Sequence, residues 1–189
     1  MALKLSIIIA STRPGRVGPA VADWVNTFTK EHSKFDVTLV DLADFKLPLI
    51  DEAAHPSLQQ YQHGHTKRWS ESMNSADAYV FVTPEYDYFP PASIINAIQV
   101  LAKEWAYKPA GVVCYGAVSG GLRSAQQLRL LLANVDIHAL MRTVPVHLVK
   151  KHINEEGRFT PTEEMNQSLK GMLAELDKWA AALKPIRAS

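Results

Sequence analysis

The chain has one cysteine, Cys114, among 189 residues, so no internal disulfide can form and a disulfide-stapled secreted scaffold is excluded. It has no excess of charge of either sign: 20 Lys and Arg against 19 Asp and Glu leave a formal net charge of +1. Overall charge therefore draws neither a nucleic acid nor an anionic membrane, and any anion site has to be local. A long apolar run is also missing. The N-terminal stretch LKLSIIIA is too short for a membrane span, and it is interrupted by Arg13 and Pro14, with no small-residue cleavage site. The expectation is a soluble, cytoplasmic chain with neither nucleic acid nor membrane as a partner. Cys114, inside the apolar run AGVVCYG, reads as a buried small hydrophobe.

Apolar residues make up 47% of the chain, enough at this length for one domain, 1–189, with a sizeable core. Strand-like and helix-like patterns alternate from end to end. LKLSIIIA, FDVTLVDL, DAYVFVTP, AGVVCYG and the weaker IHALMRTVPV have the continuous apolar character of strands buried on both faces. Between them run helical faces: Val17, Val21, Trp24, Val25 and Phe28; Tyr61, His65, Trp69, Met73 and Ala76; Ile94, Ile98, Leu101 and Trp105; and Leu122, Ala125, Leu128 and Leu132. Thr160, Pro161 and Glu163 predict a capping box opening the last helix. Such alternation implies right-handed crossovers and an α/β three-layer sandwich, a five-stranded parallel sheet with helices on both faces. DFKLPLIDEAAHPS, after the second strand, reads as a surface excursion.

In open α/β sheets the ligand sits beyond the carboxyl ends of the strands, where the strand order reverses. The loop STRPGRVG after the first strand offers hydroxyls on Ser11 and Thr12, forked cations on Arg13 and Arg16, and a helix starting near Val17 to Pro19 whose free amides favour an anion. It looks built to hold a terminal phosphate. Neither the Walker pattern nor the GxGxxG dinucleotide fingerprint fits it. After the third strand, TPEYDYFPPASIINAIQ places Tyr86, Tyr88 and Phe89 where burial normally ends. Tyr86 suits a planar ligand, whereas Tyr88 and Phe89 fit either a ligand or a subunit contact. After the fourth, Ser119, Gly120 and Gly121 let the backbone approach something closely.

Together STRPGR, LPLIDE, TPEYDYFPPASIINAI and KEWAYKPAGVVCYGAVSGG resemble the NADPH-dependent FMN reductases of flavodoxin-like fold, which include quinone and azo-dye reductases. The resemblance spans roughly residues 3 to 135. It implies bound FMN, NADPH or NADH as co-substrate, a small-molecule electron acceptor (quinone, azo compound or free flavin) and a homodimer or homotetramer. It also implies that Ser11, Arg13, Arg16, Val17 and Gly18 hold the phosphate, that Pro84, Glu85, Tyr86, Asp87 and Tyr88 border the isoalloxazine, and that Ser119, Gly120 and Gly121 line its far edge. Asp87 stands where the family usually has asparagine, and a carboxylate cannot donate the hydrogen bonds of an amide, so its role is open between flavin contact and turn shaping. A flavodoxin-type electron carrier and a flavin-free phosphate-ligand binder are the alternatives.

His63 and His65, two apart on an expected helix, should face different directions with no acidic cluster beside them, which argues against a metal site. Arg123 and Arg129 read either as contacts to a nucleotide phosphate or as solvated charges. No Ser/His/Asp or paired-carboxylate constellation can be nominated, so no catalytic residue is assigned. Leu130 and Leu131, beside the core-facing Leu128 and Leu132, make the fourth helix apolar beyond one sheet contact and favour oligomerisation.

Overall fold

The computed structural model describes residues 2–187. All five predicted strands form, as β1 (Lys4–Ile9), β2 (Asp36–Asp41), β3 (Ala78–Pro84), β4 (Lys108–Tyr115) and β5 (Ile137–Val146). They pair in parallel in the order β2-β1-β3-β4-β5. The chain steps from β1 outward to β2 and returns on the other side of β1 as β3. That reversal opens a crevice above the carboxyl ends of β1 and β3.

Among the described residues, six α-helices flank the sheet: α1 (Gly18–His32), α2 (Leu42–Phe45), α3 (Gly64–Asn74), α4 (Ala92–Gln99), α5 (Leu122–Asn134) and α6 (Glu163–Arg187). Alternation along each central strand divides the core in two. Leu5, Ile7, Ile9, Val80, Val82, Val113 and Tyr115 pack with α1 and α6, whereas Ile8, Tyr79, Phe81, Val112 and Cys114 pack with α3, α4 and α5. Burial pushes the Cys114 thiol up to about 12, which leaves it protonated and inert. No helix among the described residues is long and apolar enough to cross a membrane.

Two predicted helical faces overrun their helices. Leu101 and Trp105 continue the spacing of α4, but the helix stops at Gln99 and Trp105 is buried from a turn, its Nε1 donating to the Ile98 carbonyl at 3.0 Å. Tyr61 precedes α3 and reaches the buried Glu104 carboxylate at 3.0 Å. The last helix starts later than the capping box predicts. The Thr160 amide is committed to the His152 carbonyl, and Thr162 caps α6 by accepting from the Met165 amide at 3.3 Å. The excursion after β2 docks on α4, where the Asn96 side chain donates to the Pro48 carbonyl and accepts from the Ile50 amide.

Candidate active site

Beyond β1 the chain makes a tight turn. Pro14 precedes Gly15, which has φ +70°, and the Arg16 amide closes on the Arg13 carbonyl at 3.3 Å, as in a type II turn. The two arginines therefore lie side by side at the turn's ends. Arg13 is exposed, its guanidinium 5.7 Å from the Tyr86 ring centroid. Arg16 is pinned: it donates to the Ser11 carbonyl at 2.6 Å and pairs with the Asp41 carboxylate at 2.5 Å. Ser11 is buried, and its hydroxyl lies 2.9 Å from that of Tyr86.

Val17 occupies the N-cap of α1, so no side chain caps the helix, and its first turn carries no acid. The amides of that turn have no intrahelical partner and present a partial positive charge. Beneath them lies the Tyr115 hydroxyl, buried and without a hydrogen-bond partner among the described residues. A methyl group at Gly18 would sit 2.7 Å from that oxygen.

The loop after β3 is a hairpin in miniature. Tyr86 and Phe89 exchange two backbone hydrogen bonds of 2.9 Å, and the residues between them, Asp87 and Tyr88, have φ of 49° and 73°. Two left-handed residues in succession make a type I′ turn, whose first position favours Asn or Asp. That backbone preference accounts for Asp87 where an asparagine was expected. Tyr88 is 59% exposed and lies under the Arg123 guanidinium, 4.2 Å from its ring centroid.

Glu85 does not point into the crevice. Its carboxylate accepts from the Ser119 hydroxyl at 2.8 Å and from the Arg123 amide at 3.0 Å, capping α5 from another loop. Burial pushes its pKa up, but the bonds from Ser119 and from the Ser124 and Arg123 amides outweigh that effect and hold it below the usual carboxylate range. In the loop after β4, Gly120 and Gly121 have φ of 63° and 86°, and a Cβ on Gly121 would come within 2.5 Å of the Tyr115 amide nitrogen. No other residue fits there. His147 donates its Nδ1–H to the Val118 carbonyl at 2.8 Å and underlies Gly120.

These loops enclose a cleft of about 240 Å³ lined by Arg13, Arg16, Val17, Pro84, Glu85 and Tyr86, together with Tyr115, Gly116, Val149 and Lys150. Ser11 and Gly18 adjoin it, and Ser119 to Gly121 stand behind Glu85. Asp41, Tyr115 and Lys150 were not anticipated. A larger hollow of about 740 Å³ lies under the excursion against Leu101 and Leu131, and no predicted site residue borders it. Arg129 is taken up by the Leu140 carbonyl on β5, whereas Arg123 pairs with Glu85 and lies over the Tyr88 ring. His63 and His65 do not diverge as predicted. His63 precedes α3, the two rings stack 5.3 Å apart, and both face Asp51.

An FMN phosphate fits the observed donor set, since uncapped amides, guanidinium groups and an orphaned hydroxyl converge on a glycine-lined floor.

A family model of NADPH-dependent FMN reductases matches residues 3–151. An NAD(P)H-dependent FMN reductase of Schizosaccharomyces pombe is 39% identical over 88% of this chain and 83% of its own length. One of Saccharomyces cerevisiae is 36% identical over 73% of this chain and 78% of its own. Among solved structures, a flavoenzyme NAD(P)H:(acceptor) oxidoreductase from Paracoccus denitrificans superposes with a TM-score of 0.70 at 19% identity, covering 96% of this chain and 99% of that one. The parallel sheet, the phosphate-type cradle and a match across most of the sequence agree: the chain belongs to the NADPH-dependent FMN reductase family.

Proposed function

We propose that the protein binds FMN in this cleft and transfers reducing equivalents from NADPH or NADH to a small acceptor such as a quinone, an azo compound or a free flavin. The observation that carries this reading is the uncapped start of α1, set beside Arg13 and Arg16 and facing the tyrosine-bearing loop after β3. Bound FMN would supply the redox chemistry, accepting a hydride from the nicotinamide and releasing electrons to the acceptor.

The chain's own residues bind and orient. Ser11, Arg13, Arg16, Val17 and Gly18 hold the phosphate, with Asp41 fixing the direction of Arg16. Pro84, Tyr86 and the backbone of Glu85 border the ring system. The Glu85 side chain instead clamps the loop after β3 to Ser119, Gly120 and Gly121, which close the far edge. Asp87 sets the turn, and Tyr88 stands at its rim. Hydride transfer depends on stacking and alignment more than on a protein acid or base, in keeping with the lack of a nominated catalytic residue.

Donor and acceptor then share one opening. With FMN-loaded protein, initial rates of NADPH oxidation at several quinone concentrations should give parallel double-reciprocal lines, and the acceptor should compete with NADPH. Intersecting lines would show two separate pockets, and protein that takes up no FMN would overturn the reading altogether.

The single-domain organisation and the oligomer belong to this proposal. Of the two leucines beside the core face of α5, Leu131 packs inward and Leu130 is exposed. More apolar surface lies around α4: Leu49 (80% exposed), Ile50, Tyr88 and Phe89 flank its first turns. A second copy of the chain would cover these residues and place its surface beside Tyr88, giving a homodimer or, by a further contact, a homotetramer. Light scattering at micromolar concentration should report at least a dimer, and a monomer would refute the pairing.

A further inference from the structure

A second hollow, of about 380 Å³, lies between α1 and the small hairpin closed by the Ile153–Phe159 bridge, and it shares no lining residue with the cleft. On α1, Asp23, Thr27 and Glu31 form one row of its wall and Trp24 and Phe28 the row beside it, each at a spacing of four. Phe159, from the hairpin, meets Trp24 with ring centroids 5.1 Å apart. Trp24 Nε1 is committed to the Asn166 side-chain oxygen at 2.9 Å, so the rings have only π surface to offer a ligand. The acids beside them are unspent. The Asp23 carboxylate makes no hydrogen bond or ion pair among the described residues, and Glu31 meets only the His32 ring, at 4.0 Å. Arg158, the only cation among the described lining residues, pairs instead with Glu156 at 3.4 Å.

We propose that this hollow is a second ligand site, one that takes a small organic ammonium ion: an alkylated amine with its head on the Trp24, Phe28 and Phe159 rings and its charge beside Asp23 and Glu31. Aromatic faces attract cations through the ring quadrupole, and the two carboxylates add attraction of the same sign. An inorganic cation holds its water too firmly to be drawn onto rings, and a neutral apolar molecule gains nothing from the carboxylates. An alkylated ammonium is weakly hydrated and broad enough to touch several rings at once. The volume is that of a small-molecule site.

The test titrates nitrogen-15-labelled, flavin-loaded protein at constant ionic strength with choline and with 3,3-dimethylbutan-1-ol, its uncharged isostere, following the indole N–H resonance of Trp24. Choline should shift that resonance saturably and bind about tenfold more tightly than the alcohol, the scale of a partly desolvated cation–π contact. Asp23→Asn should weaken choline about threefold, the scale of one exposed charge pair, and leave the alcohol unchanged. Phe159→Leu should weaken choline about fivefold or more, with the flavin still bound. Equal affinity for choline and the alcohol would overturn the proposal, as would a Trp24 resonance that choline does not move, or an Asp23→Asn variant that binds choline as the wild type does.

Discussion

Replacing Arg16 by alanine is expected to weaken FMN binding by about 1.5 to 3 kcal/mol while leaving riboflavin binding nearly unchanged. Two effects add. The variant loses a guanidinium from the cradle, and it uncovers the Asp41 carboxylate, which Arg16 neutralises at 2.5 Å and which is only 21% exposed. A bare carboxylate beside the phosphate site repels the dianion. Adding Asp41→Asn to Arg16→Ala should therefore recover part of the lost affinity. Arg13→Ala should cost less, because Arg13 is exposed and solvent screens it. Calorimetric titration of both flavins against the three variants checks the ordering. Equal losses for FMN and riboflavin would mean that Arg16 shapes the loop, and no recovery from Asp41→Asn would mean that its charge is not felt in the cradle.

Glu85→Ala is expected to cost about 2 kcal/mol of folding stability, the scale of losing a helix cap together with the acceptor of the half-buried Ser119 hydroxyl. The loss depends on pH in a definite direction. The folded-state pKa of Glu85 lies below its unfolded value, so its contribution is complete above the ordinary glutamate value of about 4.3 and fades as pH falls through the lower folded value. Chemical denaturation at pH 7 should separate wild type from variant clearly, and the gap should narrow below pH 4. A gap that stays constant across this window would show that Glu85 acts through packing and not through its charge.

The strands were legible because each central one is a continuous apolar run, a pattern that burial on both faces requires and that few other structures tolerate. Helix ends were less so. Trp105 keeps the spacing of α4 while entering the core from a turn, since periodicity records which side chains are buried and not whether the backbone between them is helical. At α6 the capping box read from Thr160 is set aside by a bond from its amide to the His152 carbonyl that no local window contains, and Thr162 takes the cap. Of the site, the arginine turn and the glycine pair carried local chemistry and could be read directly. Asp41 could not, because its pairing with Arg16 spans 25 residues and is created by the adjacency of β1 and β2. Tyr115 reads from sequence as one more core aromatic, and only its missing partner sets it apart.

The cleft draws its walls from four distant segments, Arg13–Val17, Pro84–Tyr86, Tyr115–Gly116 and Val149–Lys150. A partly folded chain that has lost β5 or the return of β3 keeps the arginine turn but no enclosed site, so a ligand held there selects the complete sheet. By mass action, ligand at a hundred times its dissociation constant adds about 2.7 kcal/mol to the native state and nothing to an incomplete one. A flavin bound in this cleft would thereby also keep the chain folded and out of reach of proteases.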